Sequence, residues 1–483
     1  MKKLLFLIGI LSSGLYGASI DHIQTYSPDY LANQAQTGMI DEVSAYYNPA
    51  GLSRLDKGKY VHLGLQLANG HEKMSYKGKE HKAHLTQLIP NVSLTSVDDN
   101  GAYFFTFGGL AGGGKLEYDG VSGIDVLSDL AQFKPLGVYD KGSTLTGKNL
   151  YEQATLGRAF TVNDQLSISV AGRIVHGSRK LSGTLNIGTN PSTAYKQAKV
   201  QQVTQEVSKA VDAATQGSGL SAAQIAAIKQ QKTTQALTLL QTKMNALQQN
   251  GLSGDMDSKR EAWGYGFQIG INYKVNDKLN LAARYDSRIK MNFKAKGSEN
   301  QLQTTDILGS NIGLSTFYPQ YTIDSKIRRD LPAILSVGAS YKVTDNYLVS
   351  TSANYYFNRH AKMDRVTTFG GHEHGRDYKN GWEIALGNEY KLNDKFTLIG
   401  SVNYARTGAK SSSFNDTEYA LNSVTLGAGL RYKYDDTLSI TGSVAHFIYD
   451  KEDGNFKEKY KVNDNQKYHK EITAFGISLT KKF

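Results

Sequence analysis

Several groups of residues in this chain could do chemistry. His372-Glu373-His374, with His360 nearby, carries donors for a divalent cation. Two imidazoles at i, i+2 on a loop flanked by Gly370, Gly371 and Gly375 lack the helical spacing of a metallohydrolase, and a solvated loop is the better reading. Phe107-Gly108-Gly109-Leu110-Ala111-Gly112-Gly113-Gly114 has the glycine content of a phosphate cradle, but no Gly-Lys-Ser/Thr follows a strand there. No nucleophile triad is recognisable. With no cysteine in the chain, thiolate chemistry and a disulfide framework are excluded. Neither an enzyme nor a cofactor is expected.

The arginines and one aromatic turn read differently. Leu166, Ile168, Val170 and Ile174 share one parity, while Ser167, Ser169, Ala171 and Arg173 share the other. Arg284 likewise stands opposite Leu281, Ala283 and Tyr285. Arg158 lies on a less regular segment, so its side is open. A cation facing inward from such a strand either binds the carboxylate of a ligand or pairs with an acid such as Asp286 or Glu383. The stretch Ser-Ala-Tyr46-Tyr47-Asn48-Pro49-Ala50-Gly51-Leu combines turn chemistry with two tyrosines too apolar for an ordinary linker. Pro49 fixes φ, Gly51 permits unusual backbone angles and Asn48 can bond locally to the backbone.

What must position these residues is a long series of strands. In Trp263-Gly264-Tyr265-Gly266-Phe267-Gln268-Ile269-Gly270-Ile271-Asn272-Tyr273 one parity is wholly aromatic or aliphatic. Similar alternation occupies 279–285, 335–343, 347–357, 382–392, 396–404, 424–434, 438–448 and 475–483, giving each strand one apolar and one polar face. Short Asn/Asp links recur at 98–101, 163–164, 276–277, 344–346, 393–394 and 435–436. Longer polar connections at about 71–82, 110–148, 187–258, 296–322, 363–378, 408–416 and 450–467 alternate with them. That pattern predicts an all-β fold: a transmembrane antiparallel up-and-down barrel of about fourteen strands, with both termini on the short-turn side. A large lipocalin-like or sandwich protein is the alternative. It has less use for so many long strands with tyrosine-rich outer faces.

Composition agrees with the barrel. The 483 residues include 30 Tyr, 48 Gly and only 7 Pro, and mean hydropathy is -0.42. After the first residues no apolar run is long enough for a helical span. Lys2-Lys3, the apolar Leu4 to Leu11 and the small residues Ser12-Ser13-Gly14 and Gly17-Ala18 predict a secretory signal over 1–17. The formal charge is +11. An exported chain argues against nucleic acid as the partner, and anionic lipid or carboxylate ligands fit better.

Residues 191–250 break the pattern. Val200, Val203, Val207 and Val211, then Ile225, Ile228, Leu239, Leu240, Met244 and Leu247, recur at three- and four-residue spacing. Ser221 with Gln224 makes a capping box. Two helices around Gly217-Ser218-Gly219 are predicted, on the extracellular side, with their apolar stripes forming a mutual seam or else a ligand site. The terminal Phe483, in register with Phe475, Ile477 and Leu479, resembles the signal by which the barrel-assembly machinery recognises outer-membrane barrels.

A signal, about forty residues holding Asn48-Pro49-Ala50 and then about fourteen strands resemble the FadL-type family of outer-membrane transporters for long-chain fatty acids and aromatic hydrocarbons. Asp330-Leu331-Pro332 before 335–341, and Trp382, Gly387, Glu389-Tyr390 and Leu392-Asn393, look like the family's late strands. The resemblance implies that 18–57 is a lumen-plugging hatch, that Tyr46 to Gly51 gate it, and that 58–483 is the barrel. It also implies that the third strand kinks at Phe107, Gly108, Gly109, Gly112 and Gly113, opening a sideways exit; a flexible loop stem is the other reading of these glycines. Long-chain fatty acids are the expected cargo, with Arg158, Arg173 and Arg284 as contacts. Capture would occur between the loops 187–258 and 296–322. Lipopolysaccharide, outer-membrane lipid and the barrel-assembly machinery are expected partners of a monomer in the outer membrane. A general porin and an adhesin or receptor built on the helical loop are the rival functions.

Overall fold

The computed structural model describes Ile23 and residues 27–120, 122–131, 133–296, 324–364, 366–368, 372–374, 378–414, 416 and 418–483. The predicted signal and the loop 297–323 lie outside the described residues. Fourteen antiparallel strands form the wall: β1 (Gly58–Tyr76), β2 (Lys79–Asp98), β3 (Gly101–Tyr118), β4 (Thr144–Thr161), β5 (Leu166–Gly188), β6 (Leu252–Lys274) and β7 (Leu279–Asp286). They continue as β8 (Ile334–Thr344), β9 (Tyr347–Tyr356), β10 (Gly381–Lys391), β11 (Phe396–Arg406), β12 (Ser423–Lys433), β13 (Leu438–Tyr449) and β14 (Lys467–Lys482). Each pairs with its neighbour in sequence, and β1 pairs with β14, for example Leu65 opposite Ile477, so the sheet closes. Closure removes the free outer edges of the sheet, a condition for crossing lipid with strands.

The alternation decides which face meets lipid. Along β6, Trp263 and Tyr265 are 62% and 69% exposed and Phe267, Ile269, Ile271 and Tyr273 follow them outward, while Gln268 and Asn272 are buried in the lumen. The same division runs down β7, where Leu281 and Tyr285 face out and Asn280, Arg284 and Asp286 face in. β1 to β6 are 18 to 23 residues long. That exceeds the ~10 residues a tilted strand needs to cross a bilayer, so these six project beyond it at the long-loop end.

One predicted long connection is a tight turn. The ladder of β1 and β2 runs unbroken to Tyr76 opposite Lys79, leaving Lys77 and Gly78 as the loop. Both have left-handed φ, 50° and 84°, which matches the twist of the strands they join. The polar 71–82 stretch read as a loop because its strands already stand clear of the membrane, where no apolar face is needed.

The expected helices form between β5 and β6: α3 (Thr193–Thr215) and α4 (Ala222–Asn250), numbered after two short helices, α1 (Pro28–Ala32) and α2 (Ser44–Tyr47). The Ser221–Gln224 capping box is closed in both directions. Leu240 and Met244 are buried against Val203, Tyr195 and Leu136 at the base of the pair, so the stripe serves as a seam. At the long-loop end, Leu127, Phe414, Tyr419, Phe456 and Tyr468 join Leu85 and Ile89 of the wall in one apolar cluster.

Candidate functional site

The segment 27–57 lies inside the barrel at the short-turn end and is held mainly by short polar side chains of the wall. Ser401 Oγ donates to the Ala32 carbonyl at 2.7 Å, Ser352 Oγ accepts from Thr37 N–H at 2.9 Å, and Ser340 Oγ and Asn280 Nδ2 donate to the Gly38 carbonyl at 2.8 and 2.9 Å. Such contacts satisfy an irregular backbone that has no ladder of its own. They also leave the plug without any strand shared with the wall.

The aromatic turn is the inner end of this segment. Tyr46 and Tyr47 close α2, Asn48 caps it, and Pro49 opens the 3-10 turn Pro49–Arg54. The missing N–H of Pro49 costs nothing at a first helical position. Asn48 is fully buried and its Nδ2 donates to the Ile271 carbonyl of β6 at 2.9 Å, while the Ala50 carbonyl accepts from Ser167 Oγ at 2.7 Å. This approach needs Gly270: a Cβ there would lie 2.5 Å from Asn48 Oδ1. Gly51, by contrast, has no left-handed φ, so its expected backbone freedom is not used. Tyr47 stacks on Tyr30 with centroids 5.6 Å apart and meets Ser27 Oγ at 2.8 Å.

Arg284 joins the turn to the wall. Its Nη1 donates to the carbonyls of Tyr46 and Tyr47 at 2.7 and 2.5 Å, and its Nη2 lies 3.1 Å from Asp286. Asp286 also meets Arg173 at 3.7 Å and accepts from Gln268 Nε2 at 2.8 Å, while Arg173 Nε donates to Gln153 at 2.9 Å. Arg173 and Arg284 thus face inward as parity requires, and both belong to a protein network. Arg158 does not face inward. It shares the outer face with Leu156, lies 4.4 Å from the Tyr103 ring centroid and donates to the Tyr103 hydroxyl. Next to the short turn 161–166, that is where a cation and an aromatic anchor a barrel in the interface.

Higher in the lumen stand arginines that the strand pattern could have exposed but that were not singled out. Arg179 continues the inward parity of Arg173 and is paired across the ladder with Arg260 of β6; both are buried. Glu418, from the loop before β12, bridges Arg179 and the buried Arg329, the latter at 2.7 Å. Below them lies an apolar cluster that includes Val175, Ala262, Met291, Phe293 and Tyr356.

The wall is interrupted beside that cluster. β2 and β3 pair from Asp98–Gly101 up to Asn91–Gly108 and then not again until His84–Glu117. Residues 85–90 and 109–116 face each other unpaired. On the other side β3 slips register against β4 between Gly109, Ala111 and Gly114. Alternation fails here too, since Gly109, Leu110, Ala111 and Gly112 are all buried. The strand has moved inward, and Leu110 and Ala111 join the lumen cluster, with Ile23 of the plug. Gly112 has φ +119°, and a Cβ on it would collide with the Asn149 carbonyl. Phe107 and Gly108 remain in register, so the kink begins after them. Pro90 stands at the edge of the break without a donor, the one Pro inside a strand among the described residues and a signal for the site that went unread.

At the other end of the plug, Asp29, Asp41, Glu42, Arg431 and Lys482 line a cavity of about 280 Å³ at the short-turn mouth. Burial, helped by Glu42, pushes the Asp41 carboxyl up to about 7 against the pull of Arg431.

Fold and site together define a closed, plugged β-barrel of the outer membrane. Residues 141–483 match the family described as outer membrane protein transport protein (OMPP1/FadL/TodX), and the chain belongs to that family. Its members are transport proteins and channels, not enzymes. Outer membrane protein P1 of Haemophilus influenzae is 24% identical over 337 residues, covering 66% of this chain and 64% of that one. The long-chain fatty acid transport protein of Escherichia coli O157:H7 is 20% identical over 273 residues, 56% of this chain and 58% of that one. The chain therefore spans less than two thirds of the length of these curated relatives. Among solved structures, the toluene transporter TodX of P. putida superposes with a TM-score of 0.60 at 16% identity, covering 97% of this chain and 99% of that one. A Pseudomonas aeruginosa FadL homologue gives 0.60 at 16%, covering 95% and 99%. These likenesses are likenesses of fold.

Proposed function

We propose that the protein carries long-chain fatty acids passively across the outer membrane, with 18–57 as a movable hatch and the β2–β3 break as a sideways exit. The observation that carries this reading is the break itself, which lies between lipid and an apolar lumen cluster next to the plug. A fatty chain gains about 0.8 kcal/mol for each CH₂ kept out of water, so a route that stays apolar avoids a large cost. Fatty acids are favoured over headless aromatics by the buried pair Arg179 and Arg260 with Arg329, cations above an apolar bed. Arg173 and Arg284 act through the hatch rather than on cargo. Asn48, Pro49 and Ala50 form the part that must leave the wall, and Tyr46 and Tyr47 cover the lumen until it does.

The test uses the absence of native cysteine. A Cβ at Gly270 lies 3.6 Å from Ala50 Cβ, within the span of a disulfide. In Ala50→Cys/Gly270→Cys, whose added Cβ turns the Asn48 amide aside, oleate uptake by cells lacking their own transporter should stop on oxidation and return on reduction, while Ala50→Ser/Gly270→Ser should take up oleate under both conditions. Equal uptake by the cysteine pair in both states would refute hatch movement. A general porin predicts large open-channel currents from the wild type in planar bilayers, against the sealed lumen proposed here.

A further inference from the structure

Inward-facing carboxamides crowd the inner rim of the β2–β3 break. Gln66 of β1 and Asn91 of β2 are 1% and 4% exposed. The ladder pairs Gly64 with Asn91 and Gln66 with Ile89, so the two amides are diagonal neighbours on one face. Asn91 is the last rung β2 shares with β3 before the break, and Ile89 lies within it. Because Gly64 has no Cβ, the Asn91 amide lies across it, against Pro28 of the plug. The Tyr46 hydroxyl faces Asn91 and Ser93. Neither amide atom of Gln66 closes a hydrogen bond among the described residues, and Asn91 and Tyr46 Oη meet no polar partner beyond one another and Ser93. Folded proteins seldom bury a carboxamide in this way, because each such group forfeits its hydrogen bonds to water.

We propose that Gln66, Asn91 and the Tyr46 hydroxyl form a binding site for the uncharged, hydrogen-bonding head of an amphiphile, a primary alcohol or a protonated carboxylic acid. The site sits between plug and exit. Each amide offers a donor and an acceptor, and the hydroxyl offers both, which matches such a head and gives nothing to a hydrocarbon. On the adjoining rung of β1, His62 already engages Asp29 at 3.3 Å, and that carboxylate disfavours an anionic head. With the head held here, the tail lies along Leu85 and Ile89 of the unpaired edge and leaves first. The inference rests on the transport reading above and adds a filter for the head.

The experiment measures equilibrium binding of labelled dodecanol and dodecane to the full-length protein in nanodiscs, with empty nanodiscs subtracted. Wild type, Gln66→Met, Asn91→Leu and Tyr46→Phe are compared, each checked for folding by its heat-modifiable gel mobility. Wild type should prefer dodecanol, and each variant should weaken dodecanol about fivefold per lost hydrogen bond while leaving dodecane unchanged. Parallel losses for both ligands, or unchanged dodecanol binding in all three variants, would overturn the inference and leave the transport reading standing. Failure of wild type to bind either ligand would overturn both.

Discussion

Replacing Arg284 by Met should loosen the plug without unfolding the barrel. The guanidinium makes two hydrogen bonds to plug carbonyls, at 2.7 and 2.5 Å. Hydrogen bonds involving a charged group contribute about 1.5–3 kcal/mol each, so the pair holds the turn with roughly 3–6 kcal/mol. At 1.4 kcal/mol per factor of ten, the population of released plug should rise by about a hundredfold or more. The substitution leaves no bare charge behind, since Asp286 keeps Arg173 at 3.7 Å and Gln268 at 2.8 Å. Removing Asp286 instead would strand two arginines, a much larger disturbance. The assay is the rate at which a membrane-impermeant maleimide, added from the short-turn side, labels a single cysteine introduced at the fully buried Ala35. Ala35→Cys alone should label slowly, and Ala35→Cys/Arg284→Met faster by at least tenfold, with unchanged heat-modifiable mobility. Equal labelling rates in a folded barrel would show that Arg284 does not hold the plug.

Three further outcomes follow from the same geometry. The docked plug holds a proton on Asp41 up to about pH 7, whereas a released plug loses it near 3.8. The docked state therefore binds more protons in that window, so docking weakens as pH rises from about 4 to 7 and levels off above. Divided by the rate of an exposed reference cysteine, which removes the rise of thiolate with pH, labelling of the Ala35→Cys protein should climb with pH when Asp41 is intact and stay flat when Asp41→Asn is added. Gly112→Val forces a branched side chain into φ +119° and onto the Asn149 carbonyl, a strain of about 1–3 kcal/mol or more. It should reshape the break and lower oleate uptake several-fold with little change in barrel assembly, and unchanged uptake would remove the kink from the route. Glu418→Gln takes a competing carboxylate away from Arg179 and Arg329, so oleate should bind more tightly and dodecanol equally. Titration of both ligands reads the difference.

The sequence by itself determined the barrel, its strand number and the placing of both termini at the short-turn end, because a period of two and alternating loop lengths are local properties of the chain. It also placed Arg173 and Arg284 in the lumen, and it located the helical pair with its capping box, since these follow from parity and spacing alone. It did not reveal what those arginines meet. Arg284 and the carbonyls of Tyr46 and Tyr47 are more than 230 residues apart, and only closure of the barrel brings them together. Arg158 was ambiguous because its strand lacks a clean pattern, and the wall turned it toward lipid beside Tyr103. The glycines after Phe107 read equally as a loop stem or a kink. Whether a strand leaves its ladder depends on both neighbours, and the register of β2 and β4 decided for the kink. The turn at Asn48 was visible as chemistry, but its seat needed Gly270, a residue of another strand whose missing Cβ has meaning only once the plug lies against it.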